Sequence, residues 1–169
     1  MVQIVKAGEE HVEGIVDICT RGNQAAYQHI YTQSYLELVI KEFYNPERIL
    51  EEVTHSSRDW GGYFAAIENG KVAGACGGGM ISDKAGEVYV LYLDPDRRGE
   101  GIGTKLLEVL TKQQKEEFGA VEQWVSVQKG NNRGIPFYEA RGFHFQREEK
   151  GYGSEEAASY VSLRYSRPI

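Results

Sequence analysis

The 169-residue chain is poor in cysteine. Its only two cysteines, Cys19 and Cys76, each lie inside an apolar stretch, and neither belongs to a CxxC or Cys/His cluster. This pattern predicts buried free thiols rather than a disulfide or a cysteine-based metal site. We therefore expect no metal centre and a reducing compartment.

Long apolar runs are also missing. No run approaches the roughly 20 residues that cross a bilayer. The first residues, MVQIVKAGEEHVEG, lack a basic segment followed by an apolar one. We therefore expect no membrane partner, no secretion signal and a cytoplasmic location.

Positive charge is in deficit, with a net charge of −6 and a pI near 5.3. The chain thus offers no general basic surface for nucleic acid, and we expect no nucleic-acid partner. An acidic surface mildly favours cationic small molecules or basic peptides, although many proteins are acidic for solubility alone. With 41% hydrophobic residues, the composition predicts one globular domain over residues 1–169.

Hydrophobic periodicity predicts the element order β-α-α-β-β-β-α-β-α-β-β. The first strand is followed by a helix that begins near Glu9 and that Gly22 could end. An aromatic-rich segment follows and is helical in its second half. A further helix has Asn45 as its cap and Pro46 in its first turn.

The predicted strands indicate the sheet architecture. A hairpin with Asn69-Gly70 at its tip precedes the segment 87–95, EVYVLYLDP, which is apolar on both faces, as in a strand covered on both sides. The last two strands, FHFQREE and ASYVSLRY, are predicted to be exposed edges through which a homodimer could form. Together these elements predict an α/β fold with a mixed (α+β) sheet, an antiparallel N-terminal meander and a central parallel βαβ unit.

The stretch LYLDPDRRGEGIGTKLLEVL, residues 91–110, places three glycines and two arginines between a strand and a helix. Amide N–H groups at the start of a helix have no internal acceptors and, with the helix dipole, favour an anion such as phosphate. Glycine lets the backbone approach the ligand closely, and Arg98 could supply a counter-charge. We predict a phosphate site here, against the alternative of a tight turn in which glycine merely permits the bend.

Two common phosphate-binding motifs do not fit this stretch. A Walker-type loop requires Gly-Lys-Ser/Thr, whereas Gly103 is followed by Thr104 and then Lys105. The dinucleotide motif G-x-G-x-x-G fails because Gly99 and Gly101 are followed by Thr104 where glycine is needed. The loop also follows an antiparallel meander rather than the first strand of a doubly wound domain.

The spacing that does fit is R-x-x-G-x-G, filled by Arg98, Gly101 and Gly103 and followed by the segment 124–145, WVSVQKGNNRGIPFYEARGFHF. On these residues the chain resembles the GNAT superfamily, the acetyl-coenzyme A-dependent N-acetyltransferases. The resemblance implies a GNAT-like acyl-CoA N-acyltransferase fold and acetyl-CoA (coenzyme A) as the cofactor. It also implies direct transfer of an acetyl group, within a ternary complex, to a primary amine of a small molecule or a peptide.

The resemblance implies a set of cofactor-binding residues. In the family, the turn binds the coenzyme A diphosphate through backbone amides, and the strand before it pairs with the pantetheine arm. A backbone amide of that strand, here that of Leu91, binds the thioester carbonyl. The implied set is Leu91, Tyr92, Leu93, Arg98, Gly99, Glu100, Gly101, Ile102, Gly103, Thr104, Asn131, Phe137, Tyr138 and Arg141. Two departures occur, since Gly134 stands where alanine is usual and Pro136 places the next helix start near residues 133–135.

The resemblance also implies catalytic and acceptor-binding residues. Tyr138 matches the family's general acid, which protonates the departing thiolate. Glu87 matches the catalytic glutamate of the histone-acetylating branch and is the candidate general base, with His29 as the alternative. The candidate substrate-binding residues are Tyr27, His29, Tyr31 and Glu87, with Tyr35 beside them.

Each assignment has a plainer alternative. Tyr138 could simply pack beside Phe137, Asn131 could cap a helix, Glu87 could be solvated, and the tyrosines could belong to the core. The chain could also use another acyl donor or a hydroxyl acceptor, or be a coenzyme A-binding regulatory module without turnover. Because neither cysteine sits in an activating context, we expect no acyl-enzyme.

Overall fold

A computed structural model describes residues 1–169 and contains seven strands and six α-helices. The strands are β1 (Gln3–Lys6), β2 (Tyr63–Glu68), β3 (Lys71–Met80), β4 (Ala85–Leu93), β5 (Glu122–Gln128), β6 (His144–Lys150) and β7 (Val161–Pro168). The helices are α1 (Val12–Tyr27), α2 (Gln33–Phe43), α3 (Pro46–Thr54), α4 (Ile102–Lys112), α5 (Gly134–Glu139) and α6 (Glu155–Ser159). None of the helices combines the length and the apolar character needed to cross a membrane.

All seven strands form one sheet in the order β1-β2-β3-β4-β5-β7-β6. Neighbouring strands are antiparallel except β4 and β5, which are parallel. A parallel pair needs a crossover connection, and α4 supplies it. The predicted antiparallel meander and central parallel βαβ unit are therefore confirmed.

Helices cover both faces of the central strands. On one face, α4 and α5 enclose a core that includes Leu106 and Phe143. On the other face, α1 and α3 bury Ile15 and Ile49 against the sheet. The central strand β4 contributes to both cores, which explains why its sequence is apolar on both sides.

Several local predictions are confirmed. Asn45 caps α3, where its Oδ1 accepts a hydrogen bond from the Arg48 amide at 2.9 Å, and Pro46 occupies the first turn. The β2–β3 hairpin turns at Asn69 and Gly70, whose φ angles are 52° and 76°. These local predictions succeeded because the helix cap and the hairpin turn each depend only on residues a few positions apart.

The two cysteines are buried free thiols, as predicted. Burial raises the pKa of Cys19 and of Cys76, which keeps both thiols protonated at neutral pH. A protonated thiol is a poor nucleophile, so neither side chain is suited to carry an acyl group.

Three predictions about the elements were wrong. Gly22 does not end α1; it is buried within the helix, where an added Cβ would lie 2.9 Å from the Tyr92 side chain. The summary order counted two helices before β2, whereas three are present, each at a segment for which a helix was predicted, and α6 was not predicted because its pattern is only five residues long. Finally, β7 lies between β5 and β6, so of the last two strands only β6 is an edge.

Candidate active site

The two parallel strands separate toward their carboxyl ends. Their pairing runs from Ala85 opposite Glu122 to Val88 opposite Val125 and then stops. Both strands nevertheless continue, β4 to residue 93 and β5 to residue 128. On its other side, β4 shifts register against β3 between Gly77 and Gly78, a bulge that bends the strand. The result is a wedge-shaped gap between β4 and β5.

The backbone of β4 offers polar groups to this gap. The Asp94 amide donates to the Ala73 carbonyl at 2.9 Å, while Cys76 faces Leu91 and Gly74 faces Leu93 in the ladder. Residues of an antiparallel strand point their N–H and C=O groups alternately toward and away from the neighbour. The amides of Leu91 and Leu93 are therefore turned away from β3, toward the gap.

A cavity occupies the gap and extends beneath α5 and the end of α1. Its apolar walls include Leu93, Val125, Val127 and Phe137, and four tyrosines also line it: Tyr27, Tyr89, Tyr92 and Tyr138. Of the residues implied by the family resemblance, the cavity is lined by Tyr27, Leu91, Tyr92, Leu93, Arg98, Gly103, Asn131, Phe137 and Tyr138. The other residues of that set do not line the cavity.

The turn before α4 presents free backbone amides at one end of the cavity. Gly99 and Gly101 both have φ of 80°, in the left-handed region that favours glycine. No backbone amide from residue 98 to residue 104 donates to a protein acceptor. Arg97 holds the outside of the turn through ion pairs with Glu100 at 2.8 Å and Glu68 at 3.1 Å. The turn is thus anchored from outside while its amides stay available.

Two unpaired arginines stand beside these amides. The guanidinium groups of Arg98 and Arg133 make no hydrogen bond or ion pair within the chain, whereas that of Arg97 makes two ion pairs. Burial and the nearby Arg133 both lower the pKa of Arg98 from its ordinary value. An anion bound between the two arginines would relieve their repulsion. Sequence reasoning left Arg133 out of the site because the glycine motif lies some 30 residues away on another element.

The start of α4 is fastened to α5. An added Cβ at Gly103 would lie 3.1 Å from the Phe137 ring, a tight contact, so glycine favours this close approach. The Arg141 guanidinium lies 3.8 Å from the centre of the Phe137 ring and donates to the Phe137 carbonyl at 2.7 Å. It also donates to Thr104 Oγ1 at 3.1 Å. Arg141 and Thr104 therefore position the glycine-rich turn rather than line the cavity, and Ile102 is a core residue.

Two further side chains combine structural and functional features. Tyr138 is buried, burial raises its pKa, and its hydroxyl has no hydrogen-bond partner within the chain, so it remains a proton donor facing the cavity. Asn131 caps α5, since its Oδ1 accepts from the Gly134 amide at 2.9 Å and the Arg133 amide at 3.3 Å. Its Nδ2 group has no partner within the chain and remains available to a ligand.

Glu87 is bound to another strand. Its Oε1 lies 2.7 Å from Arg164 Nη2, and both side chains are largely buried. Arg164 also donates to Ser126 Oγ at 2.8 Å. The Glu87 carboxylate does not line the cavity, although Val88 and Tyr89 next to it do.

Four tyrosines form a cluster that leads away from the cavity. Tyr27 stacks on Tyr31 with ring centres 5.0 Å apart, and Tyr31 contacts Tyr35 at 4.9 Å and Tyr160 at 4.6 Å. The Tyr160 hydroxyl donates to Glu156 at 3.2 Å. We call these four rings the tyrosine cluster. His29 is exposed on the adjoining turn and does not line the cavity.

Comparison with known proteins identifies the family. Residues 23–143 match the model of the acetyltransferase (GNAT) family. The chain belongs to this family, whose members transfer acetyl groups from acetyl-CoA. It is accordingly an acetyl-CoA-dependent N-acetyltransferase, and acetyl transfer to an amine is its reaction. The predicted superfamily, fold class, cofactor and reaction are confirmed.

Individual relatives share this chemistry. The spermidine N(1)-acetyltransferase of Thermoplasma acidophilum is 29% identical over 143 residues, which cover 84% of this chain and 88% of the relative. The ribosomal protein bS18-alanine N-acetyltransferase of Escherichia coli K12 is 32% identical over 81 residues, 48% of this chain and 53% of the relative. The crystal structure of PaiA N-acetyltransferase from Thermoplasma acidophilum with coenzyme A superimposes with a TM-score of 0.84 at 25% identity, covering 100% of this chain and 99% of that one.

Proposed function

We propose that the enzyme acetylates a primary amine of a linear aliphatic polyamine such as spermidine. The observation that carries the proposal is the tyrosine cluster, which connects the cavity to the Glu156 carboxylate. A polyamine alternates ammonium groups with methylene segments. Aromatic faces attract cations and also pack against methylene groups, so a path lined by such rings suits this ligand.

Electrostatics supports the same acceptor. Glu156 accepts hydrogen bonds from the hydroxyls of Tyr160 and Thr32 but forms no ion pair with a basic side chain. Its negative charge is therefore available to a distal ammonium group, and the net charge of −6 adds to the attraction. The similarity to a spermidine acetyltransferase, which covers 84% of this chain, supports the same acceptor, whereas the alanine acetyltransferase matches about half of the chain.

The cofactor side of the cavity fits coenzyme A. The free amides of residues 98–104 and the guanidinium groups of Arg98 and Arg133 would hold the diphosphate. The amides of Leu91 and Leu93 would pair with the arm, and Asn131 Nδ2 would donate to one of its carbonyls. Bound in this way, acetyl-CoA supplies the activated acetyl group.

Two groups of the chain would assist the chemical step. The Leu91 amide points into the gap and would donate to the thioester carbonyl oxygen as negative charge develops there, which is worth about 3 kcal/mol for a single donor. Tyr138 would protonate the departing sulfur, since its raised pKa keeps the phenol protonated. The buried cysteines stay outside the mechanism.

The general base faces the larger energetic demand. Neutralising an alkyl ammonium with a pKa of about 10.4 at pH 7 costs roughly 4.6 kcal/mol. We keep Glu87 as the candidate base, acting through water because its carboxylate lies beside the cavity and not in its wall. The exposed His29 is the alternative.

A comparison of acceptors tests the proposal. Thiol release from acetyl-CoA would be measured with spermidine, n-propylamine and a peptide with an N-terminal alanine. We expect kcat/KM for spermidine to exceed that for n-propylamine by about tenfold or more, because only the polyamine reaches the tyrosine cluster and Glu156. Equal values for both amines, or a preference for the peptide, would contradict the proposal.

We also propose that the enzyme forms a homodimer and that it is located in the cytoplasm. The exposed edge strand β6 supports a homodimer formed by edge-to-edge pairing. The cytoplasmic location rests on the composition and the free cysteines.

A further inference from the structure

We propose that the Tyr27 hydroxyl is a hydrogen-bond acceptor of fixed direction that holds an N–H group of the attacking amine, and that Asn23 and Tyr92 set this direction. The inference rests on the proposed acetylation of an amine in the cavity that Tyr27 lines. It follows from a chain of three side chains, one buried and two half-buried, whose hydrogen bonds are assigned from the chemistry of the Asn23 end.

Asn23 fixes the first link. Its side chain is 2% exposed, and one of its terminal atoms lies 2.7 Å from the Cys19 carbonyl oxygen. Because a backbone carbonyl can only accept, the atom facing it must be the amide nitrogen. The other terminal atom, Oδ1, therefore faces Tyr92, and it can only accept.

The remaining links follow from the single proton of each phenol. The Tyr92 hydroxyl lies 3.2 Å from Asn23 Oδ1 and donates its proton there. The Tyr27 hydroxyl lies 3.4 Å from that of Tyr92. Since Tyr92 has no second proton, Tyr27 is the donor of this bond. Tyr27 then has only oxygen lone pairs to offer to a ligand in the cavity.

Two of the tyrosines that line the cavity thus have opposite hydrogen-bonding character. Tyr138 has a free proton to donate, and Tyr27 can only accept. An amine that attacks a thioester points its lone pair at the carbonyl carbon, so its N–H bonds point elsewhere and need an acceptor. The departing sulfur needs a donor. The geometry assigns Tyr27 to the amine and leaves Tyr138 to the sulfur, with Asn23 and Tyr92 as positioning residues.

Hydroxyl deletions test the assignment by kinetics. With spermidine as the acceptor, Tyr27→Phe is expected to raise the amine KM by about tenfold while the acetyl-CoA KM stays within about twofold. Tyr92→Phe should change the amine KM in the same direction but less, because the freed Tyr27 hydroxyl can rotate. The double variant should match Tyr27→Phe alone. Tyr63→Phe, which removes a buried phenol away from the cavity, is the matched control and should change neither KM.

Thermal stability gives a readout that needs no turnover. Tyr92→Phe leaves both the Asn23 carbonyl and the Tyr27 proton without a partner, whereas Tyr27→Phe removes only a donor at the end of the chain. We expect Tyr92→Phe to lower the Tm more than Tyr27→Phe does. The reverse order, an unchanged amine KM in Tyr27→Phe, or an equal rise in both KM values would overturn the inference. Failure of the wild type to use any amine would instead contradict the proposed function, and the order of Tm values would still test whether Tyr92 links Asn23 to Tyr27.

Discussion

The cofactor side of the cavity is built mainly from backbone, whereas the acceptor side is built from side chains. On the cofactor side, free amides of residues 98–104 and the unpaired strand edge of β4 would bind coenzyme A in the proposed function. On the acceptor side, the tyrosine cluster and Glu156 come together from α1, α2 and the segment around α6. The family match over residues 23–143 contains the whole cofactor side but leaves Tyr160 and Glu156 outside.

The two sides of the cavity carry different information, one about the family and the other about the substrate. A binding site made of backbone groups needs glycine at fixed spacings. Such a site can keep its function while the other side chains around it vary. A site made of side chains can change its ligand through single substitutions. The cofactor side therefore identifies the enzyme class, and under the proposed function the acceptor side would set what is acetylated.

The largest expected effect is on the backbone side. Gly101→Val places a β-branched residue at a φ of 80°, a conformation it disfavours, and would displace the neighbouring amides. We expect coenzyme A to bind about 100-fold more weakly by calorimetry, as several amide contacts are lost.

The matched control is Gly119→Val. Gly119 has a φ of 72° and an open surround like that of Gly101, but it lies beyond the opposite end of α4. The Gly119→Val variant should show a similar loss in its free energy of unfolding and should keep its affinity for coenzyme A. Similar affinity losses in both variants would assign the effect to strain and not to the amides.

The next effect concerns proton donation. Tyr138→Phe removes the hydroxyl but keeps the buried ring, so kcat should fall by about 100-fold while coenzyme A affinity persists. Because burial raises the Tyr138 pKa, the phenol stays protonated at pH 9, and the loss should be similar at pH 7 and pH 9. A loss confined to one pH would argue against a general acid.

A smaller and pH-dependent effect is expected for the base. Glu87→Gln should lower kcat/KM by about tenfold at pH 7 and by less at pH 9, where more of the amine is already neutral. The Tm should be measured in parallel, because the substitution also weakens a buried ion pair with Arg164. An unaltered pH–rate profile would remove Glu87 from the mechanism.

The smallest effect lies farthest from the chemistry. Glu156→Gln should raise KM for spermidine by about threefold and leave KM for n-propylamine unchanged, since an exposed charge contributes little. Equal changes for both amines would show that Glu156 acts through the fold and not through the distal ammonium.

Sequence reasoning succeeded where the chemistry is local in the chain. The R-x-x-G-x-G spacing, the Asn45 cap and the Asn69-Gly70 turn each involve a few adjacent residues, and the central βαβ unit followed from the hydrophobic pattern of its strands and helix. The sequence did not predict that Arg133 lies near Arg98, because their proximity depends on how α5 packs beside α4. Nor could it predict the tyrosine cluster. The contact between Tyr31 and Tyr160 depends on the position of β7 between β5 and β6 in the sheet.

Gly22 shows why a local rule can fail. Glycine commonly ends a helix, but here it lets Tyr92 approach α1, and Tyr92 then joins Asn23 to Tyr27. The residue serves packing between elements, and no short-range pattern distinguishes that use from a helix end.

The most direct test of the account is a crystal structure of the enzyme with coenzyme A. The account predicts the diphosphate within about 2.7–3.2 Å of amides between Arg98 and Thr104, with Arg98 and Arg133 on either side and the arm between β4 and β5. A diphosphate bound elsewhere on the protein, with those amides turned toward water or protein oxygens, would contradict it.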